Sequence, residues 1–419
     1  MKSAGRRNVG HVGAVVLAAT LVLAAAGCTT DKKSSDTSTS SAGTSSTTAA
    51  GTKATGTPVK IGFTSGGTGA TAIPEIGRGA QLAADFINDH ENGINGHPID
   101  LVYCPTDGTP ESSAACANKL VSEGAVGVID GADVGTDAKI PILHDAGIAT
   151  MGSGTIGTGQ SLSQDAFFFA PPATTFPPAQ VDLAAKVGAK HVSFVFPDIP
   201  QVPLLQGLIT KQAQLDGIQA DVVTFDPAAP DFDAAMATVM SNGSDALATI
   251  ATDEWCTGLV KAARAADFQG SINVGQCIEY AAALSNADAK GIYSQSSAWG
   301  PAARKYAPEV TQTVIDQYAA AMDEAGRGDG VVGLDWTGWV SVWQSAGVLR
   351  TIKGDLTAAS VMTGMRALKD ATNDVGPPIT CDPRPSPGFS GCTEGWQWYQ
   401  MQDNGTLKPI SGGFIKPNS

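Results

Sequence analysis

The chain is poor in the residues that most enzyme chemistry needs. Its 419 residues include five histidines, scattered as His11, His90, His97, His144 and His191, and none has a partner at metal-ligand spacing. No C-x-x-C or H-E-x-x-H occurs, so neither a structural zinc site nor a zinc peptidase has a motif to rest on. A G-x-S-x-G elbow and a phosphate loop ending in Gly-Lys-Ser/Thr are missing too. Positive charge is scarce: 26 Lys and Arg stand against 40 Asp and Glu, a formal net charge of −14 with no basic stripe. That excludes a nucleic-acid partner. One G-x-G-x-x-G exists at Gly152, Gly154 and Gly157, but the following Thr158–Asp165 is too polar for a good helix. No ribose-binding acid stands about 20 residues further on, so the glycines read as a loop after a strand. No cofactor, no metal and no catalytic residue is expected.

What is present is an ordered, loop-rich α/β composition, with 42% hydrophobic residues and 49 glycines. Val59–Phe63 (VKIGF) reads as a buried parallel strand. Thr64–Thr71 is glycine-rich and is expected to hold neither helix nor sheet. From Pro74, the residues Ile76, Ala80, Ala83, Phe86 and Ile87 recur at helical spacing. Gly93–Pro98 then turns the chain into a strand at Ile99–Tyr103. In such a β–loop–α–β unit, small ligands sit at the carboxyl ends of the strands.

These same residues carry a resemblance. Val59–Phe63, Ser65-Gly66-Gly67, the helix ending Phe86-Ile87-Asn88, and Gly93-Ile94-Asn95-Gly96 before Ile99-Asp100-Leu101-Val102 resemble the start of one family. It is the type I solute-binding proteins of ABC importers, of the branched-chain amino acid kind. The resemblance runs more loosely over residues 58–409. Asn92-Gly93 stands where the family has two glycines, and Asn is also tolerated at such a turn. The fold implied is α/β, with two Rossmann-like lobes of parallel sheets covered by helices and joined by hinge crossovers. The partners implied are a small amino acid-like ligand, an ABC permease and a membrane.

Residues 1–28 read as a targeting segment. Lys2, Arg6 and Arg7 precede an apolar run, Val12–Ala26, that is short for a membrane span. It ends Ala24-Ala25-Ala26-Gly27-Cys28, which resembles a bacterial lipoprotein cleavage box with Cys28 lipidated. Residues 29–57 are Ser, Thr, Ala and Gly with almost no large apolar side chain, as in a disordered tether. A flexible chain of that length spans roughly 30 Å. It would hold the domain clear of the outer face of the cell membrane.

Beyond residue 58, strands and helices alternate, which implies a parallel sheet covered on both faces. Residues 58–174 and 299–376 are expected to form an N-terminal lobe, and 175–298 with 377–419 a C-terminal lobe. Trp336, Trp339 and Trp343 lie at helical spacing and read as core, with Trp336 a possible exception because it precedes the helix proper. Six cysteines follow Cys28, and their spacing suggests Cys104–Cys116, Cys256–Cys277 and Cys381–Cys392 among fifteen possible pairings.

In the first lobe the candidate ligand wall is Ser153-Gly154-Thr155, where small residues let backbone N–H groups approach a carboxylate and hydroxyls add donors. Ser65 and Asp133 lie in the neighbouring loops. In the second lobe the family supplies an aromatic and an acid for the ligand's ammonium. Asp253, Glu254 and Trp255 follow one strand, and Glu279 and Tyr280 follow another. The family often has Tyr near the position of Gln201, and this chain does not. The acids at 253 and 254 could equally start a helix and suit its dipole. The sequence thus implies an extracytoplasmic binding lipoprotein of an importer that makes and breaks no bond. The alternative is a ligand-sensing lipoprotein for a signalling partner.

Overall fold

The computed structural model describes residues 51–69, 72–199, 202–249, 253–275, 286–403 and 405–418. Cys28 and most of the proposed tether lie outside them. The first half of the chain alternates as expected: β1 Val59–Gly66, α1 Pro74–His90, β2 Ile99–Thr106, α2 Pro110–Glu123, β3 Gly127–Asp130, α3 Ile140–Asp145, β4 Ala149–Gly152, α4 Thr158–Leu162 and β5 Ala166–Phe168. Its strands form a parallel sheet in the order β2-β1-β3-β4-β5.

The second half continues the alternation. It runs α5 Phe176–Lys186, β6 His191–Pro197, α6 Val202–Asp216, β7 Gln219–Phe225, α7 Phe232–Ser241, β8 Ala246–Thr249, α8 Asp253–Ala265, β9 Ser271–Asn273, α9 Asn286–Ala289 and β10 Tyr293–Ser296. Three helices follow, α10 Glu309–Glu324, α11 Asp335–Leu349 and α12 Ala358–Arg366, and then a hairpin of β11 Gln397–Met401 and β12 Leu407–Pro409. The second sheet has the order β12-β11-β10-β9-β8-β6-β7. It is parallel from β7 to β10, while β11 and β12 join antiparallel at its edge.

Three differences from the sequence reading have plain physical causes. First, β1 does not stop at Phe63. Thr64, Ser65 and Gly66 continue in register with Cys104, Pro105 and Thr106 of β2, so neighbouring strands hold a stretch whose own composition is too free. Second, a short helix, α4, does follow the glycine loop, because Asp137 Oδ1 accepts from the Gln160 N–H at 3.0 Å. Third, residues 379–392 belong with the first sheet, although the sequence reading put them with the second. Cys381 and Cys392 sit in the first sheet's core, and Phe168 N–H donates to Ser390 while Cys392 N–H donates to Phe168. The Arg384 guanidinium donates to the carbonyls of Ser163, Gln164, Ala166 and Phe389 at 2.7–3.1 Å, fastening this loop beside β5.

The Cys104–Cys116 and Cys381–Cys392 disulfides form as expected. Cys256 is buried and has no disulfide partner among the described residues, and Cys277 lies outside them. The tryptophan stripe is core throughout. Trp339 and Trp343 stack at 6.0 Å, and Trp336, the possible exception, is buried edge-on against Tyr318 at 5.1 Å.

The main helix pair of the first lobe is α1 on α11. Its closeness is set by two glycines. A Cβ on Gly79 would stand 1.9 Å from the Asp335 carbonyl oxygen, and one on Gly338 would stand 1.9 Å from that of Ile76. Phe86 then lies over Trp339 at 5.4 Å. Gly347 is on the same helix with nothing within 4 Å of an added Cβ. Gly338→Ala should therefore lower stability by roughly 1–3 kcal/mol through overpacking. Gly347→Ala should be neutral or stabilise by up to about 1 kcal/mol through helix propensity. Urea unfolding of both variants checks this, and equal midpoints would refute the packing account.

Candidate functional site

The carboxyl ends of the first sheet's strands are gathered around one buried cation. Lys139, at the start of α3, is fully buried, and its ammonium reaches Asp130 at 2.6 Å, Asp133 at 2.9 Å and the Thr64 hydroxyl at 2.6 Å. Those three partners use all three of its protons. The carboxylates are saturated in turn. Asp130 accepts from Thr136 Oγ1 at 2.7 Å, Gln160 Nε2 at 2.7 Å and the Asp133 N–H at 3.0 Å. Asp133 accepts from Thr106 Oγ1 at 2.8 Å, Ser113 Oγ at 2.6 Å and the Gly135 N–H at 3.2 Å. Burial alone would push the Asp133 carboxyl up. The Lys139 charge and these hydrogen bonds outweigh burial and hold it below the ordinary carboxylate range.

Gln160 carries this network to the loop after β4. Its Nε2 donates to Asp130, and its Oε1 accepts from the Ile156 N–H at 2.8 Å and, more weakly, from the Gly157 N–H at 3.4 Å. The segment just before it is left open. The backbone N–H groups of Ser153, Gly154 and Thr155 meet no acceptor among the described residues. Nothing lies within 4 Å of a Cβ added to Gly154. Thr155 Oγ1 is shut from solvent without a partner among the described residues. Ser153 Oγ lies 2.7 Å from Ser341 Oγ of α11. Three unengaged backbone donors in succession at a strand end can bind an anion.

Two other first-lobe candidates lie deeper in the fold. Ser65 is not in a loop but at the end of β1, fully buried, with its hydroxyl 3.2 Å from that of Tyr103. Asp133 is fully buried in the lysine network. Neither side chain is exposed to solvent.

The second-lobe candidates are reached only in part. Asp253 and Glu254 open α8, as the helix-start reading expected. Their side chains lie outside the described residues, as do Gln201, Glu279 and Tyr280. Trp255 is half-buried and packs edge-on against Phe225 at 5.6 Å in the second sheet's core. It acts there as core. A cavity of about 690 Å³ lined by Asn95, His97, Arg350 and Lys353 lies at the opposite, amino-terminal edge of the first sheet. The Arg350 guanidinium is already committed to the carbonyls of Gly93 and Glu91 there, at 2.9 and 3.2 Å. Sequence reading missed Lys139, Gln160 and Ser341. The only signal for the first was a lysine set just before the apolar Ile140-Pro141-Ile142-Leu143.

A family model described as periplasmic binding protein matches residues 58–391. The fold is shared with many solved structures. One is the branched-chain amino acid transporter substrate-binding protein of Streptococcus pneumoniae in complex with isoleucine: 20% identity, TM-score 0.67, covering 86% of this chain and 100% of that one. Another is a leucine-binding protein of Thermotoga maritima, at 17% identity and TM-score 0.68, covering 86% and 99%. A third is an ABC transporter solute-binding protein of R. palustris in complex with benzoate, at 16% identity and TM-score 0.65, covering 86% and 97%. Among curated proteins, none matches the sequence at a significant level.

Removing the buried cation should expose its role. Lys139→Met leaves two buried carboxylates without their counter-ion, a change that costs roughly 3–5 kcal/mol. A loss under about 1 kcal/mol by urea unfolding would show the ion to be dispensable. Because the Asp133 pKa is depressed in the fold, its contribution is complete above about pH 4 and is lost as pH falls below that. Asp133→Asn should therefore show a shallower loss of stability between about pH 4 and pH 2 than the native chain.

Proposed function

Because the chain belongs to the periplasmic binding protein family, whose members bind ligands extracytoplasmically and are not enzymes, we propose that it is the substrate-binding lipoprotein of an ABC importer. It captures a small polar ligand, an amino acid or a related carboxylate or amide, between two lobes and delivers it to a membrane permease. The observation that carries this reading is the open wall at Ser153-Gly154-Thr155, with its three unengaged N–H groups and the empty space before Gly154. The isoleucine and benzoate complexes of the structural relatives support it, since both ligands are small carboxylates.

Residues 58–174 with 299–392 are taken as the N-terminal lobe, and 175–298 with 393–419 as the C-terminal lobe. Contacts from both lobes to one ligand favour the closed state by their differential affinity. Asp253, Glu254, Glu279 and Tyr280 are retained as second-lobe candidates. Cys28 is proposed as the lipidated anchor, and Cys256–Cys277 as a third disulfide. Cys28→Ser should release the protein from the membrane fraction; retention there would refute the anchor.

The cleft is tested by a thermal-shift screen of amino acids, amides and small carboxylates on protein stripped of ligand. A ligand at 100 times its Kd adds about 2.7 kcal/mol to stability. Gly154→Val separates binding from folding. Its side chain enters open space at a residue with no left-handed backbone angle. The variant should keep the unliganded Tm within about 2 °C, which for a chain of this size is about 1.5 kcal/mol, and should lose the ligand-induced rise. An undiminished rise would place the ligand elsewhere.

A further inference from the structure

The hydroxyl pair at the wall has a fixed direction. Ser341 Oγ lies 2.7 Å from Ser153 Oγ and 2.8 Å from the carbonyl oxygen of Thr337, four residues earlier on α11. A serine hydroxyl has one proton and two lone pairs. The Thr337 carbonyl can only accept, so the Ser341 proton goes to it. The 2.7 Å contact between the two hydroxyls then needs its proton from Ser153. With Ser341 fully buried, no water competes for either arrangement. Ser153, half-buried at the strand end, has spent its only proton and keeps its lone pairs as acceptors.

We propose that Ser341, a helix residue behind the wall, makes Ser153 a hydrogen-bond acceptor toward the ligand, so that the ligand must place an N–H or O–H donor there. This rests on the reading of residues 153–155 as the ligand wall, and it refines that reading, in which the serine hydroxyl was expected to donate. The wall is then two-signed. The N–H groups of residues 153–155 take a carboxylate, and Ser153 Oγ takes a donor beside it. A ligand bearing only acceptors next to its carboxylate meets lone pairs against lone pairs. A buried or half-buried polar group left without its partner loses more than the bond itself is worth. Ser341 is a positioning residue: it selects through Ser153.

Two measurements test this. Neutron diffraction of the deuterated, ligand-free protein reads the proton positions directly. Deuterium on Ser341 aimed at Thr337, with deuterium on Ser153 aimed at Ser341, supports the assignment. Deuterium on Ser341 aimed at Ser153 overturns it.

The second is calorimetric titration with L-leucine, its 2-hydroxy acid and its 2-oxo acid, which share a carboxylate and a side chain and differ only in the neighbouring group. The native protein should bind the amino and hydroxy acids at least about tenfold tighter than the oxo acid, the discrimination of one mispaired hydrogen bond. Ser341→Ala frees the Ser153 proton and should shrink that ratio about fivefold or more, with little change for the tightest ligand. Equal binding of oxo and hydroxy acids by the native protein, or an unchanged ratio in Ser341→Ala, overturns the proposal. If none of the three acids binds, a leucine-type side chain is excluded from the cleft, while the neutron map still decides the direction of the hydroxyl pair and overturns the proposal if Ser341 is found donating to Ser153.

Discussion

The buried ammonium of Lys139 is the constraint on which the strand-end face of the first sheet depends. An isolated charge in that position would cost several kcal/mol, and it is stable only because every proton has an acceptor. Two carboxylates face one ammonium, so the cluster would carry an uncompensated negative charge. Hydroxyls from Thr106, Ser113 and Thr136, the amide of Gln160 and two backbone N–H groups offset it. These donors come from β2, α2, α4 and the loop after β3, while Thr64 comes from β1. Moving any one of these elements strands a polar group in the interior. The loops after β3 and β4 are therefore held as one rigid wall, and the open segment at residues 153–155 lies beside the part that Gln160 clamps.

The passages between lobes are similarly fixed at their roots. Trp299 N–H donates to the Val375 carbonyl at 2.7 Å, tying the return passage to the segment after α12. Gly391 lies so close to the first passage that a Cβ would stand 2.8 Å from both the Ala170 carbonyl oxygen and Pro172 Cδ. The Cys381–Cys392 disulfide and the Arg384 bonds hold that segment against β5. The first passage thus runs against Gly391, and the return passage against Val375.

Much of the fold was legible because it rests on local pattern. The period of Ile76, Ala80, Ala83 and Ile87, the apolar β1 run and the turn at Gly93 each specify an element without tertiary help. The glycine-rich end of β1 was not legible, since its extended form comes from pairing with β2. The site was legible only as a loop after a strand. Asp133 looked like a cleft acid because sequence cannot say which way a loop carboxylate turns. Its role is decided by Lys139, Thr106 and Ser113, and the last two come from elements that precede it. Ser341 could not be found at all from sequence, lying 188 residues from its partner in a helix that reads as apolar core.

A rigid first-lobe wall also divides the work of binding. On the proposed reading, a carboxylate held by two or three N–H groups gains roughly 1.5–3 kcal/mol from each charge-assisted bond. Those groups belong to one lobe, so the contacts exist in the open and closed states alike and shift nothing between them. Turning an open protein from about 1:99 to 99:1 closed takes about 5.5 kcal/mol of differential affinity. That must come from second-lobe side chains, which touch the ligand only after closure. The first lobe then decides which ligands stay, by the fixed signs of its N–H groups and of Ser153. The second lobe decides which of those close the protein. A ligand that satisfied only the first lobe would bind and leave the lobes open, so affinity and closure need not rank ligands in the same order.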